Sequence, residues 1–252
     1  MKLLAIDSSG LVAGVALVEN DTLIAEYTLN HKKTHSQTLL PMIDELFKMT
    51  GIPKTDLDAV AIAAGPGSFT GLRIGAATAK GLGLALNIPL IRVPTVDAYA
   101  YNLFGTRGII CPMMDARRSQ VYTGLYKFEG SDFKVVKPQC AVGIDEITEE
   151  INKLGEPVIL TGDGVDVDTS LEGKGGAAGP IANRNYVTEH LTVPFEFAPS
   201  HLARQRAGAL GALAVRYMDD ESYPSIKKES AAEFVPEYLR LSQAERERLE
   251  NV

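Results

Sequence analysis

The chain repeats its opening pattern at Ile109-Ile110-Cys111-Pro112-Met113-Met114-Asp115, an apolar run that ends in aspartate as the run from Leu3 to Asp7 does. In both places a leucine of the next β-rich run follows ten residues after the aspartate, at Leu17 and at Leu125. A polar turn and a third β-rich run then complete each copy. This repetition predicts two similar α/β lobes rather than one continuous domain.

The remaining elements fit lobes in which helices cover mixed sheets. We place the lobes at residues 1–105 and 106–252, and expect the C-terminal helices to pack back on the first lobe. In the first lobe the predicted elements are strands at Lys2–Ile6, Leu11–Val18, Thr22–Leu29, Asp58–Ala64 and Pro89–Val93, with helices at His35–Met49 and Leu72–Asn87. In the second lobe they are strands at Ile109–Asp115, Val121–Phe128, Phe133–Val136 and Pro157–Leu160, with a helix at Ser200–Met218 that Ser200 caps.

Three further features concern helix ends and loops. Gly51 is placed to end the first helix, and Pro41 is expected to kink it. Residues 173–180 are rich in glycine and poor in large apolar side chains, which predicts a flexible surface loop.

The composition argues for a cytosolic protein that does not hold nucleic acid by itself. The chain of 252 residues has a formal net charge of −7, which repels phosphate groups. Its two cysteines, Cys111 and Cys140, form no metal-binding or redox spacing, as expected in a reducing compartment. No apolar run is long enough for a secretory signal or a membrane span, so we expect a soluble, cytoplasmic protein.

The strongest local motif is Ala64-Gly65-Pro66-Gly67-Ser68-Phe69-Thr70-Gly71-Leu72-Arg73-Ile74-Gly75. Its glycines permit a tight turn, and Ser68 or Thr70 can cap the helix that follows, so free backbone amides converge there. The motif lacks the Lys-Ser/Thr ending of a P-loop and the spacing of a dinucleotide-binding loop. It therefore favours a strand-to-helix turn over a phosphate site.

The helix after this turn carries small residues at every fourth position, at Gly71, Gly75, Ala79 and Gly83. Each glycine costs up to about 1 kcal/mol of helix propensity relative to alanine, which indicates close approach of another backbone along this ridge. The approaching element could be the chain's own sheet or a helix of a second subunit. The ridge alone does not decide between them.

Asp7 and Ser8 follow the opening strand, at the position that lies beside phosphates and metal in the sugar-kinase and actin architecture. A structural Asx turn is the more common role of such residues. Arg117 and Arg118 could bind a phosphate or a partner's carboxylate through paired hydrogen bonds, or could simply be solvated. These four residues are our candidates for nucleotide contacts.

Two histidines, His31 and His35, stand four residues apart, but they lack the glutamate of a H-E-x-x-H site. His35 is better interpreted as a hydrogen-bonding residue at the start of the first helix. No nucleophile can be paired with a base anywhere in the sequence. We therefore predict no catalytic residue and no metal site.

Five segments resemble the TsaB family of bacterial tRNA threonylcarbamoyladenosine biosynthesis proteins. The likeness covers nearly the whole chain and is weakest at residues 165–193. The segments are Leu4-Ala5-Ile6-Asp7-Ser8-Ser9, His35-Ser36-Gln37-Thr38-Leu39-Leu40-Pro41, the Ala64 to Gly75 motif, Asp115-Ala116-Arg117-Arg118-Ser119-Gln120-Val121-Tyr122 and Pro236-Glu237-Tyr238-Leu239-Arg240.

This resemblance implies a two-lobed actin and sugar-kinase-like fold and a supporting role without catalysis of its own. It implies that the partner is the paralogue TsaD, which transfers a threonylcarbamoyl group to adenosine 37 of tRNAs that read codons beginning with A. The ATPase TsaE is the third component, and this chain contacts tRNA only through the complex that it forms with TsaD and TsaE. The metal-binding H-x-x-x-H of TsaD corresponds here to Thr95 and Tyr99, which are not plausible ligands.

The resemblance also implies weak or absent nucleotide binding, since Thr161 to Gly164 only echo the nucleotide motif of TsaD. ATP or ADP at a subunit junction stays open. In the family, first-lobe helices of TsaB pack on those of TsaD, or on a second TsaB in a homodimer. The residues we expect at this interface are His35, Leu39, Met42, Thr70, Arg73, Ile74, Gly75, Thr78, Ala79 and Leu82.

Two enzymes are the alternatives. A kinase or ATPase of the same superfamily would use Asp7 for the metal and Asp115 near the transferred phosphate. A metallopeptidase would need metal at His31 and His35.

Overall fold

The computed structural model describes residues 1–31, 33–117, 119–165 and 180–240. Its first part contains β1 (Lys2–Asp7), β2 (Ala13–Glu19), β3 (Thr22–Leu29), α1 (His35–Thr50), β4 (Ala59–Ala63), α2 (Phe69–Leu86), β5 (Leu90–Val93) and α3 (Thr95–Tyr101). Its second part contains β6 (Ile109–Asp115), β7 (Gln120–Glu129), β8 (Asp132–Gly143), α4 (Ile144–Leu154), β9 (Val158–Thr161), α5 (Pro180–His190), β10 (Phe195–Phe197), α6 (Ala207–Tyr217) and β11 (Lys227–Glu229). Arg118 and most of the glycine-rich segment, residues 173–179, lie outside the described residues.

The predicted duplication is confirmed by the sheets. The first has the strand order β11-β5-β4-β1-β2-β3 and the second β10-β9-β6-β7-β8. In each, three consecutive strands form an antiparallel meander, and the next strand pairs in parallel with the first of the three. Asp7 and Asp115 therefore end equivalent strands of two copies of one α/β unit.

The two helices on the outer face of the first sheet begin and end near the predicted residues. α1 runs continuously through Pro41 and ends at Gly51, which has a φ of 68°. α2 is capped by Ser68, whose side chain accepts a hydrogen bond from the Gly71 amide at 3.3 Å. The helix starts three residues before the predicted Leu72, because this cap lies within the glycine motif.

The small-residue ridge of α2 faces the chain's own sheet. A side chain at Gly71 would overlap the Ser8 carbonyl, and one at Gly75 would overlap the Ser8 hydroxyl. Ala79 is fully buried, and a Cβ at Gly83 would lie 2.7 Å from that of Ala231. The prediction that Gly75 and Ala79 lie on the partner surface is therefore wrong, because the first lobe itself covers them.

Leu39 of α1 is a second correction of the same kind. It is 1% exposed and packs into the core between α1, α2 and the first sheet. Its neighbour on the helix, Leu40, is 57% exposed instead. The apolar stripe of α1 therefore serves the lobe's own core.

The lobes share a core at their junction. α6 packs on the inner face of the first sheet, α3 packs on α6, and the second sheet covers α3. From the C-terminal part of the chain, β11 also joins the first sheet beside β5. The boundary after residue 105 stays a prediction. No helix in the described part of the chain is both long and apolar enough to cross a lipid bilayer.

The last predicted helix begins later than expected. α6 starts at Ala207, and Ser200 does not cap it. The cap comes from β3 instead, because Glu26 accepts a hydrogen bond from the Gly208 amide at 3.1 Å. The same carboxylate accepts two hydrogen bonds from Arg206, at 3.0 and 2.6 Å. Burial alone would raise the pKa of Glu26, but these hydrogen bonds hold it below its usual value.

We expect Glu26→Ala to destabilise the fold by about 2–3 kcal/mol, since it removes a helix cap and leaves the Arg206 guanidinium without its carboxylate. Urea unfolding at neutral pH measures this loss. The matched control is Asp44→Ala, which breaks the exposed Lys54–Asp44 pair of 2.8 Å and should change little. Equal effects of the two variants would contradict the capping role.

Candidate functional site

The turn after β1 uses its polar groups internally. Asp7 is 2% exposed, and its Oδ1 accepts hydrogen bonds from the Ser9 amide at 2.9 Å and the Ser9 hydroxyl at 2.6 Å. The Ser8 hydroxyl donates to the Gly71 carbonyl at 2.9 Å. Burial raises the pKa of Asp7, although the Ser9 hydrogen bonds oppose this. The Asx-turn interpretation is confirmed, and the carboxylate is poorly placed to bind a metal ion.

Among the described residues of the equivalent turn in the second lobe, Arg117 faces solvent. The Arg117 amide donates to Asp115 Oδ1 at 2.8 Å, while the Arg117 side chain is 77% exposed. Behind it, buried Asp163 accepts a hydrogen bond from the Asp115 amide at 3.3 Å. Burial raises the pKa of Asp163 to about 6, against the opposing charge of Arg204. Arg118 cannot be placed, since it is not among the described residues.

His35 has the structural role that we predicted. It is the first residue of α1, and its Nε2 lies 2.9 Å from the Gly10 carbonyl. His31 is exposed in the preceding loop. Among the described residues, no group of three or more His, Cys, Asp or Glu side chains is arranged to hold a metal ion.

The two residues that the family resemblance aligned with the metal ligands of TsaD are buried and hydrogen-bonded within the chain. Thr95 and Tyr99 on α3 are 0% and 1% exposed. The Thr95 hydroxyl accepts a hydrogen bond from the Gly65 amide at 3.0 Å, and the Tyr99 hydroxyl donates to the Ala203 carbonyl at 2.8 Å. A hydroxyl that serves these contacts is a structural group rather than a metal ligand.

The outward face of α2 is almost free of charge. The helix has two charged residues, Arg73 and Lys80. Lys80 Nζ donates to the carbonyls of Ala232 and Phe234 at 2.9 and 3.0 Å, while Arg73 is exposed and donates to the Tyr238 hydroxyl at 3.2 Å. Of the predicted interface residues, Thr70 and Arg73 are exposed, and those that are partly exposed are His35, Met42, Ile74, Thr78 and Leu82.

Sequence reasoning missed a second ridge of small residues, which does face solvent. Ala77, Gly81 and Ala85 are exposed at the same spacing of four residues, and a Cβ at Gly81 would meet no atom within 4 Å. Leu84 beside them is 61% exposed. The ridges are two residues apart in sequence and so lie on nearly opposite sides of the helix, about 200° around its axis. Both have the same period, so the period alone could not tell them apart.

These observations define the class of protein first. Two copies of one α/β unit, joined through shared helices, form the two-lobed actin and sugar-kinase-like fold. The solved structure of YeaZ from Pseudomonas aeruginosa superposes with a TM-score of 0.72 at 22% identity, over 94% of this chain and 99% of that one. This similarity shows the fold.

Sequence comparison then gives the family. The family model described as "TsaD: tRNA N6-adenosine threonylcarbamoyltransferase" matches residues 22–248. The tRNA threonylcarbamoyladenosine biosynthesis protein TsaB of Bacillus subtilis is 34% identical over 254 residues, which cover 100% of this chain and 99% of that protein. TsaB of Escherichia coli is 36% identical over 129 residues, 50% of this chain and 55% of that protein. The chain belongs to the TsaB family, within the wider family that the TsaD model describes.

Proposed function

We propose that this chain is the non-catalytic subunit that binds a TsaD-type transferase and supports threonylcarbamoylation of adenosine 37 in tRNAs reading codons that begin with A. Its place in tRNA threonylcarbamoyladenosine biosynthesis follows from membership of the TsaB family. The observation that carries the role is the 34% identity to a TsaB protein over the full length of both chains. An ATPase of the TsaE type is the third component, and tRNA is reached through the complex in the cytoplasm.

The chemistry of the lobes supports a role without catalysis. Thr95 and Tyr99, which the family resemblance aligns with the metal ligands of TsaD, take part in internal hydrogen bonds. Asp7, which a kinase would need for its metal, is buried against Ser9. A subunit that works by packing against another protein needs no perturbed acid or base at its surface.

The outward faces of α1 and α2 support the partner role. Leu40 and Leu84 are exposed apolar residues of these helices, and the exposed small residues Ala77, Gly81 and Ala85 allow close approach of another helix. We propose that this surface binds TsaD, and that two copies of the chain associate through it when TsaD is absent. The proposed contact residues are His35, Met42, Thr70, Arg73, Ile74, Thr78 and Leu82.

The experiment is transfer of labelled threonine to tRNA by TsaD, TsaE and the synthase that makes the threonylcarbamoyl donor, with and without this chain. We expect modification to fall to background without it, because the transferase needs its supporting subunit. ATP hydrolysis by the chain alone is measured in parallel. Hydrolysis that is lost in Asp7→Asn, together with modification that does not depend on the chain, would favour the kinase or ATPase alternative instead.

A further inference from the structure

A cavity of about 320 Å³ opens where the two lobes meet, on the inner side of the first sheet. Its walls are the β2–β3 hairpin, the end of α3 with the loop after it, and a face of α6 on which Gly208 and Ala212 leave room for a ligand. Ser131, in the turn between β7 and β8, completes the rim. Small-molecule sites have volumes of roughly 300–1,000 Å³, so this cavity suits a single small molecule.

The cavity lies at the end of the molecule opposite the turns of Asp7 and Asp115. In the first sheet Asp7 pairs with the start of β2, whereas the β2–β3 turn lies beside Lys2, at the other end of β1. In the second sheet Asp115 pairs with Val121, and the β7–β8 turn lies at the far end of β7. The cavity is therefore separate from the cleft beside which the sugar-kinase architecture places phosphates. It is also on the opposite face of the first sheet from α1 and α2, so binding here does not depend on the proposed partner surface.

One wall of the cavity consists of two aromatic rings that other rings support from behind. The ring centres of Tyr101 and Phe104 are 6.2 Å apart, and that of Phe104 lies 5.0 Å from that of Phe128. Phe104 is nevertheless 60% exposed, and Leu23 on the hairpin wall is 50% exposed. An apolar group that entered the cavity would cover both side chains, and the supported rings would lose little conformational entropy.

The two charged residues that line the cavity have opposite signs. Asp21 belongs to the hairpin wall, and Arg216 belongs to the last turn of α6, with its side chain 51% exposed. Both act on the same hydroxyl: burial raises the pKa of Tyr101 most, while the charge of Arg216 lowers it and that of Asp21 raises it. A ligand with one charge would meet a like charge here, whereas a zwitterion can pair with both residues.

The charges around the cavity are balanced. Arg216 Nη2 lies 3.7 Å from Asp132 Oδ1, and Lys134 Nζ lies 3.9 Å from the other oxygen of the same carboxylate. The N-terminal ammonium group of Met1 donates to Asn20 Oδ1 at 2.7 Å. The ion pair of Arg216 with Asp132 is long and exposed, so it contributes little and leaves the guanidinium able to bind a ligand carboxylate.

We propose that this cavity binds a free amino acid with an apolar side chain. The side chain packs against Tyr101, Phe104 and Leu23. The carboxylate accepts hydrogen bonds from Arg216, and the ammonium group donates to Asp21. Exposed charge pairs contribute modestly, and the covered apolar surface supplies the rest, so we expect a dissociation constant of about 1 mM.

The experiment is a ligand-observed NMR titration of the full-length chain with L-phenylalanine as the probe. Two matched probes keep the phenyl ring: 3-phenylpropionate lacks the ammonium group, and phenethylamine lacks the carboxylate. We expect each of them to bind about fivefold more weakly than L-phenylalanine, because each loses one charge pair and keeps one like-charge contact.

Variants place the probe in the cavity. Ala212→Phe should weaken binding of L-phenylalanine at least about tenfold, because the new ring fills the cavity, and Arg216→Ala should weaken it about fivefold. The matched control is Lys153→Ala on α4, which removes an exposed cation that lies 3.5 Å from Glu149 and should change nothing. Thermal unfolding checks each variant, and Arg216→Ala keeps the test valid if Ala212→Phe is unstable.

Three outcomes would overturn the proposal. The first is the absence of saturable binding of L-phenylalanine up to about 20 mM. The second is binding that Ala212→Phe, in its folded form, and Arg216→Ala leave unchanged, which would place the probe elsewhere on the chain. The third is 3-phenylpropionate that binds as tightly as L-phenylalanine, which would show that the ammonium group is not recognised and that the ligand is not a free amino acid.

Discussion

Gly75→Leu should prevent the chain from folding, whereas Gly81→Lys in the same helix should leave it folded and unable to bind its partner. At Gly75 even a Cβ would overlap the Ser8 hydroxyl and lie 3.2 Å from Ile62 Cδ1. A leucine adds three further carbon atoms to this closely packed layer. We expect a loss of at least about 4 kcal/mol, comparable with the whole stability of a marginal domain.

Gly81 offers the opposite environment, since no atom lies within 4 Å of a Cβ placed there. Replacing glycine by lysine within a helix should stabilise the monomer by up to about 1 kcal/mol through helix propensity. The long, charged side chain would nevertheless prevent close packing of another helix against the Ala77-Gly81-Ala85 ridge.

Circular dichroism with thermal unfolding measures folding of both variants, and sedimentation with and without TsaD measures association. Glu149→Lys, on an exposed part of α4 in the second lobe, is the control for a new surface lysine. A folded Gly75→Leu monomer would contradict the packing of α2 on its own sheet. A Gly81→Lys variant that binds TsaD as the wild type does would contradict the proposed interface.

Periodicity and local motifs were sufficient for the duplicated architecture. Local sequence patterns predict both meanders, the capping Ser68 and the terminating Gly51, because these features depend on residues close together in the chain. The resemblance to TsaB indicated which helices to propose as the partner surface, but it could not assign the faces of α2. That assignment depends on which ridge meets the sheet, a contact between Gly75 and Ser8 that is 67 residues away in sequence.

The other features that the sequence did not predict also depend on contacts between residues far apart in the chain. The start of α6 depends on Glu26, a residue 182 positions before the amide that it caps, so the local signal at Ser200 was misleading. The hydrogen bond between Arg73 of α2 and Tyr238 likewise joins residues 165 positions apart. The motif Pro236 to Arg240 was visible as a family likeness, but only the structure shows that it borders the proposed partner surface.

The lobe junction should lose stability as pH rises towards 7, and Asp97→Asn should remove this loss. Asp97 on α3 is 4% exposed, and its Oδ1 accepts a hydrogen bond from the Tyr126 hydroxyl of β7 at 2.7 Å. Burial, helped by the charge of Glu237 and opposed by the Tyr126 hydrogen bond, raises the pKa of Asp97 from 3.8 to about 7. The carboxyl group therefore links the lobes best when it is protonated.

The direction of this change of stability with pH follows from proton binding. Between about pH 4 and pH 7 the folded chain holds a proton on Asp97 that the unfolded chain has released, so stability falls as pH rises through this window. A pKa shift of about three units corresponds to about 4 kcal/mol, an upper bound that is reached above pH 7. The buried carboxyl of Asp163, with its pKa raised to about 6, acts in the same direction.

Asparagine has nearly the shape of the protonated acid and can still accept the Tyr126 hydrogen bond, but it cannot ionise. Urea unfolding of Asp97→Asn and wild type should therefore give similar stabilities near pH 4 and a clear advantage of the variant, up to about 4 kcal/mol, at pH 8. Asp21→Asn, in the exposed turn between β2 and β3, should show no such divergence. A variant that is equally or less stable than wild type at pH 8 would show that folding does not raise the pKa of Asp97, because Tyr126 and its neighbours compensate the burial of its charge.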